Sequence, residues 1–97
     1  QKIMSIIEEL IVTLEERLAL KLTNPRKIGL YVHISCMVER LIRQVESTDF
    51  ADLEQFVFTH QREIRVIKDA VSVLETIYSV QIPLPEICYI HNILFLD

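Results

Sequence analysis

The stretch QREIRVIKDAVSVLETIYSV, residues 61–80, decides the fold class. Its apolar side chains recur every three or four positions, which places them on one face of an α-helix. They are Ile64, Ile67, Val71, Leu74 and Tyr78. The opposite face is largely charged, so the stretch from Gln61 to about Val80 predicts an amphipathic helix with one side packed on a core.

Four further helices are predicted on either side of this stretch. They cover Lys2 to about Leu22, Pro25 to about Val45, Phe50 to about Phe58, and a last helix from Pro85-Glu86 through Leu94. Asn24 before Pro25 has the pattern of an N-cap followed by the first helical residue. Ser47-Thr48-Asp49 can cap the short third helix.

Composition favours one all-α domain over residues 1–97. The chain is 51% hydrophobic and has only one Gly and three Pro, which suits long helices with short loops better than a many-stranded fold. No internal repeat is expected, and a start at Gln1 indicates a domain excised from a larger protein. Five residues are predicted to be buried: Leu14, Val38, Leu41, Leu74 and Ile90.

Charge, apolar runs and cysteine usage indicate which partners and which cellular location the chain has. The net charge is −4 with no basic stripe, so we expect no direct nucleic acid contact by this domain. Apolar runs are short, so no membrane span is expected. Cys36 and Cys88 lie in helix-like apolar runs without disulfide spacing, which fits small core residues and a cytoplasmic location.

Catalytic motifs are missing from the sequence. There is no Gly-rich phosphate loop, Ser nucleophile motif or Cys–His–acid pattern, so neither an enzyme nor a cofactor is predicted. The paired acids Glu8-Glu9 and Glu15-Glu16 fit a solvated helix face.

One spacing suggests a metal site. The pairs His33/Cys36 and Cys88/His91 each lie three positions apart and could together supply a Cys₂His₂ set. Structural zinc sites usually draw one pair from a turn, however, and both cysteines have the pattern of core residues. No metal is therefore predicted.

The three histidines differ in their surroundings. His60 fits a surface or capping residue, and His91 fits a hydrogen-bonded, partly buried core residue. His33 lies on a half-polar stripe of the second helix, with Arg40 two turns further along it. A neutral imidazole can accept a phosphoryl group near pH 7, and Arg is well shaped to hold phosphate.

Two elements carry a family resemblance. His33-Ile34-Ser35-Cys36-Met37-Val38-Glu39-Arg40-Leu41-Ile42 resembles the first-histidine helix of the PTS regulation domain (PRD), through which bacterial sugar phosphotransferase systems control transcription regulators. The run Ile67-Lys68, Leu74-Glu75, Tyr78, Ile82-Pro83 and Glu86-Ile87-Cys88-Tyr89-Ile90 is similar to the closing helices of that family. Together the elements cover nearly the whole chain.

The resemblance implies two crossed antiparallel helix pairs with the short third helix at the periphery. It also implies that His33 is phosphorylated, with Arg40 supporting the phosphate and HPr or an EIIB component as donor. The family's second histidine position is occupied by Ile93, and His91 lies two positions too early to replace it. The chain thus resembles a one-histidine PRD, most like those of LevR-like, sigma-54-dependent activators.

Two functional hypotheses follow. The first is a regulatory domain that receives a phosphoryl group on His33; the alternative is a structural dimerisation bundle without phosphorylation. Burial of His33 away from solvent would favour the alternative. The extra apolar width of the first helix predicts a homodimer in either case.

Overall fold

The computed structural model describes residues 2–46 and 49–96 of the chain. These ranges contain five α-helices and no β-strand, as predicted. The helices are α1 (Lys2–Leu18), α2 (Asn24–Ile42), α3 (Leu53–Thr59), α4 (Gln61–Tyr78) and α5 (Leu84–Phe95). Pro25 and Pro85 both lie in the first turn of a helix, where a missing N–H costs no helical hydrogen bond.

Several helix ends differ from the prediction. The N-cap of α2 is Thr23 and not Asn24, because the Thr23 hydroxyl accepts a hydrogen bond of 3.4 Å from the Arg26 amide. The N-cap of α3 is Asp52, later than expected. Ser47 and Thr48, which were predicted to help cap α3, lie outside the described residues.

The turn between α1 and α2 is closed by a glutamate side chain. Ala19 adopts a left-handed conformation, with φ of 54°, and ends α1 four residues earlier than predicted. Glu15 Oε2 then accepts a hydrogen bond of 2.9 Å from the amide of Leu22, whose side chain is buried. Glu15 is therefore half-buried and closes the turn, whereas Glu8, Glu9 and Glu16 are exposed, as expected for a solvated face.

The turn between α4 and α5 repeats this geometry. Ser79 is left-handed, with φ of 55°, and Glu75 Oε2 accepts a hydrogen bond of 2.8 Å from the amide of Ile82, which is also buried. The chain therefore contains two helical hairpins with matching turns, although no internal repeat was predicted. The repeat is hard to see in the sequence because few residues are identical at the same spacing; among them are Ile7/Ile67, Leu14/Leu74, Glu15/Glu75 and Pro25/Pro85.

The core lies where α1 and α5 each pack against both α2 and α4. Its fully buried side chains are aliphatic for the most part and come from all four long helices. They include Ile7, Leu14, Leu30, Ile34, Met37, Ile67, Leu74, Ile87 and Ile90. The short α3 contacts α4 and α5 and has no buried residue, which confirms its peripheral position.

Burial confirms four of the five predicted core residues. Leu14, Val38, Leu74 and Ile90 are at most 1% exposed. Leu41 is only partly buried, since it lies in the last turn of α2 at the edge of the bundle.

Two other residues differ from the prediction. Val45, predicted to end the second helix, lies beyond the end of α2 and is 49% exposed. Cys36 is exposed, contrary to the prediction, whereas Cys88 is buried as expected. Among residues 2–46 and 49–96, no helix is both long and apolar enough to cross a bilayer.

Candidate functional site

His33 and Arg40, two turns apart on α2, both face a buried carboxylate on α5. Arg40 Nη1 donates a hydrogen bond of 2.7 Å to Glu86 Oε2, and its Nη2 lies 3.4 Å from Oε1. His33 Nε2 lies 3.4 Å from the same Oε1. We refer to these three residues as the His33 site.

The two helices position these side chains through their packing. A seven-residue separation on α2 returns His33 and Arg40 to nearly the same face. Glu86 lies in the first turn of α5, which packs against α2. Glu86 is only 2% exposed. Arg40 and the positive end of the α5 helix dipole offset the cost of burying its negative charge.

The sequence analysis placed Glu86 at the start of the last helix but did not connect it with His33 and Arg40. One signal for such a role was present. Glu86 is the only charged residue between Gln81 and Leu96, in a run that is otherwise largely apolar. A charged side chain in such a run is buried only when it is paired, so a basic partner on another helix could have been expected.

Electrostatics favour the neutral imidazole at His33. Burial lowers the pKa of His33 from its usual 6.5; the Glu86 carboxylate opposes this shift and the Arg40 guanidinium adds to it. The hydrogen bond to Glu86 raises the pKa of Arg40, so Arg40 stays charged. The neutral imidazole retains a lone pair, which a nucleophilic nitrogen needs.

His33 is more enclosed than the half-polar stripe suggested. Its side chain is 21% exposed. The Nε2 atom is buried and has no well-aligned hydrogen bond, although Glu86 lies within ion-pair distance. Tyr89 covers one side at a ring-centroid distance of 6.4 Å, and its hydroxyl is fixed by a 2.7 Å hydrogen bond to the Asp49 carbonyl.

The exposed side of Arg40 opens on a surface groove. The groove is lined by Cys36, Glu39, Arg40, Arg43 and Val45. Arg43 is 71% exposed at its side chain and lies 3.6 Å from Glu39. Two guanidinium groups and the Glu39 carboxylate thus border the groove, and Arg40 connects it to the His33 site through Glu86.

The other two histidines come together at a different place. His91 on α5 is buried, and its Nε2 lies 2.8 Å from Glu63 Oε1 on α4. His60, at the junction of α3 and α4, places Nδ1 3.5 Å from the same oxygen. His91 is therefore a buried, hydrogen-bonded residue, as predicted.

The structure separates the four residues of the Cys₂His₂ set that the sequence spacing allowed but that was not predicted to bind a metal. Cys36 is exposed on α2, whereas His91 belongs to the group formed with His60 and Glu63. Within the described residues, that group is the one whose His, Cys, Asp or Glu ligand atoms converge. The chain spacing of the His–Cys pairs gave no indication of it.

Ile93, at the family's second histidine position, packs against α2. A Cβ atom on Gly29 would lie 3.6 Å from Ile93 Cγ2, and Arg26 donates a hydrogen bond of 2.7 Å to the Ile93 carbonyl. An aliphatic side chain is thus accommodated here at the interface of the two helices that carry the His33 site.

The described residues form a five-helix bundle with a histidine beside an Arg–Glu pair, and comparison with known families identifies its class. The family model of the PRD domain matches residues 8–96. The chain belongs to the PRD family, whose members are regulatory domains. Neither curated proteins nor solved structures gave a significant match.

Proposed function

We propose that this chain is a phosphorylatable regulatory domain of a bacterial sugar-operon transcription regulator, with His33 as the phosphoryl acceptor. Membership of the PRD family supports the regulatory role. The observation that carries the site assignment is the placement of His33 beside Arg40 and Glu86, which gives a neutral imidazole a neighbouring cation. His60 and His91 instead share the carboxylate of Glu63.

The transfer requires no group beyond the donor and the imidazole. One ring nitrogen of His33 attacks phosphorus with its lone pair, a P–N bond forms, and the bond between phosphorus and the donor breaks. The other ring nitrogen keeps its proton. Phosphorylation at Nε2 would require the contact with Glu86 to open, because that nitrogen faces the carboxylate at 3.4 Å.

Phosphorylation would alter the balance of charge in the site. The phosphoryl group adds up to about two negative charges next to a carboxylate that is already buried. The Arg40 side chain extends from α2 to Glu86 on α5. Its guanidinium group can bind either the phosphoryl group or the Glu86 carboxylate, so the two anions would compete for it. This competition is a route by which modification of His33 shifts the packing of α2 on α5.

The donor that we propose is HPr or a sugar-specific EIIB protein. The subtype that we propose is a one-histidine PRD of a LevR-like, sigma-54-dependent activator, with Ile93 in place of a second histidine. DNA binding and ATP hydrolysis would then belong to other domains of the full protein, and the domain would act in the cytoplasm as a homodimer.

Incubation with radiolabelled phosphoenolpyruvate, enzyme I, HPr and candidate EIIB proteins tests the proposal. Wild type should become labelled by one donor, and His33→Ala should not. His60→Ala and His91→Ala should retain nearly the wild-type rate, while Arg40→Ala should be labelled more slowly. Labelling of His33→Ala at the wild-type rate would show that the assigned residue is wrong.

The alternative function is a structural dimerisation bundle. The observation that favours it is the enclosure of His33: its Nε2 atom is buried, and its side chain is only 21% exposed. This alternative predicts that no phosphocarrier labels the wild-type chain, although the chain still dimerises. The same labelling experiment therefore distinguishes the two functions.

A further inference from the structure

A second group of polar side chains lies apart from the His33 site, where the start of α4 meets α5. It consists of His60, Glu63 and His91, and we call it the His–Glu cluster. Glu63 Oε1 lies 2.8 Å from His91 Nε2 and 3.5 Å from His60 Nδ1. The three candidate ligand atoms all lie within 4.8 Å of one another.

We propose that the His–Glu cluster binds one divalent transition-metal ion, of which Zn²⁺ fits best. Two imidazole nitrogens and one carboxylate oxygen form a ligand set that zinc accepts in proteins. Imidazole ligands also favour zinc and its neighbours over Mg²⁺ and Ca²⁺, which prefer sets of oxygen atoms.

The two distances from the imidazole nitrogens to Glu63 Oε1 are close to the ligand separations around a zinc ion. A tetrahedral zinc ion with bonds of about 2.05 Å keeps its ligand atoms about 3.3 Å apart. The two contacts to Glu63 Oε1, at 2.8 and 3.5 Å, lie on either side of that value. The ligand atoms of His60 and His91 lie within 4.8 Å of each other, so the two imidazoles would close on the ion as metal bonds replace the hydrogen bond between His91 and Glu63.

The backbone brings the ligands together without help from the ion. His60 and Glu63 are separated by three positions across the start of α4, so they share a face. His91 reaches the same point from α5, which packs on α4. An ion held there would therefore cross-link the α3–α4 junction to α5.

Aromatic side chains hold the two imidazoles in place. The Phe56 ring packs edge-on against that of His91, with ring centroids 5.1 Å apart, and is tilted against that of His60 at 4.6 Å; the Phe95 ring centroid lies 4.5 Å from that of His91. Rings packed on both ligands restrict their rotation, which lowers the entropy lost on binding.

Solvent can reach the fourth coordination position. The side chains of His60 and Glu63 are each 34% exposed, whereas that of His91 is 5% exposed. The ion would thus enter from the side of His60 and Glu63 and retain a water molecule there. Three protein ligands with one open position is a known arrangement for zinc.

Titration of the chelator-treated chain tests the site directly. Co²⁺, a spectroscopic substitute for Zn²⁺, should give saturable visible absorption bands typical of four-coordination, with one ion per chain. Zn²⁺ should displace Co²⁺ and should raise the unfolding temperature as its concentration increases, because it binds the folded chain.

Variants at the half-exposed ligands locate the site. His60→Asn and Glu63→Gln should each lower the Zn²⁺ affinity at least about tenfold while retaining the helical circular dichroism spectrum. His33→Asn and Cys36→Ser are matched controls, since they remove a histidine and a thiol outside the cluster and should bind as wild type does. His91 is not the primary test because its burial makes any substitution there destabilising.

Two results would overturn the proposal. The first is a wild-type chain that gives no saturable Co²⁺ spectrum and no Zn²⁺-dependent stabilisation, as expected for a plain His91–Glu63 hydrogen bond. The second is a Zn²⁺ affinity that His60→Asn and Glu63→Gln leave unchanged.

Discussion

Arg40 on α2 holds the buried carboxylate of Glu86 on α5 through a hydrogen bond of 2.7 Å between Nη1 and Oε2. The Glu86 side chain is only 3% exposed, and that of Arg40 is 32% exposed. A carboxylate buried to this degree is stable in its charged form only with a partner. The pair thus ties the helix that carries His33 to the last helix of the bundle.

Loss of the Arg40 side chain should destabilise the fold as well as affect phosphorylation. Arg40→Ala leaves Glu86 buried next to His33 without its guanidinium partner, and we expect a loss of about 3 kcal/mol in the free energy of unfolding. Urea denaturation of the unphosphorylated protein measures this loss. Labelling rates of the variant must therefore be compared at a temperature where it is folded.

Arg43→Ala is the matched control for this prediction. Arg43 lies one turn from Arg40 and contacts Glu39 at 3.6 Å. The side chains of Arg43 and Glu39 are 71% and 70% exposed. An exposed ion pair contributes little, so the loss should be below about 0.5 kcal/mol. Equal losses for Arg40→Ala and Arg43→Ala would contradict the role given to Glu86.

The enclosure of His33 should be visible in the pH dependence of stability. Burial lowers the pKa of His33 below 6.5. The His33 imidazole is therefore protonated more readily in the unfolded chain than in the folded chain. The free energy of unfolding should therefore decrease as the pH falls from about 6.5 through the folded-state pKa of His33. His33→Gln should remove this part of the pH dependence.

NMR titration of the imidazole protons measures the same pKa directly. In Glu86→Gln the carboxylate that raises the pKa of His33 is lost while Arg40 remains, so the pKa should fall further. A wild-type value above 6.5, or a rise in Glu86→Gln, would contradict the electrostatics described for this site.

Leu74 and Leu41 allow the same substitution to be compared at two depths. Leu74 is fully buried, and Leu74→Ala should cost about 2–5 kcal/mol. Leu41 is only partly buried at the end of α2, so Leu41→Ala should cost about 1 kcal/mol. Chemical denaturation of both variants checks the order, and a larger loss for Leu41→Ala would contradict the observed position of the core.

Periodicity was sufficient to predict the helices and most of the core. Ile64, Ile67, Val71 and Leu74 repeat at helical spacing, and all four are buried. Helix ends were less predictable, because they depend on hydrogen bonds such as that from the Leu22 amide to Glu15. Such a bond has no distinct pattern in the sequence.

Only two of the three residues of the His33 site could be placed together from the sequence. The spacing on α2 placed His33 and Arg40 on one stripe, but their shared partner Glu86 lies 46 positions from Arg40 in the chain. His91 and Glu63, 28 positions apart, were not connected for the same reason. Contacts between helices depend on how the bundle packs, and amphipathic periodicity does not encode that packing.

The homodimer remains a prediction, and we propose the outer faces of α1 and α2 as its interface. Both helices expose apolar side chains, namely Met4, Val12, Ile28 and Val32, with exposures of 43%, 51%, 62% and 59%. Sedimentation of the wild-type chain at high micromolar concentration should show a dimer. Val32→Glu should give a monomer, since a charge would be buried in the interface.

Phe58→Glu is the control for the dimer, because Phe58 is 71% exposed but belongs to the peripheral α3. It should leave the sedimentation coefficient unchanged. A monomeric wild-type chain would contradict the prediction, and a dimer unaffected by Val32→Glu would place the interface elsewhere.

Mass spectrometry of the chain after incubation with its phosphocarrier tests the assignment of His33 most directly. We predict the added mass of a single phosphoryl group, located on the peptide that contains His33, stable in base and lost on brief acid treatment. His33→Ala should gain no mass under the same conditions. A phosphoryl group on His60 or His91, or an unchanged gain of mass in His33→Ala, would contradict the account.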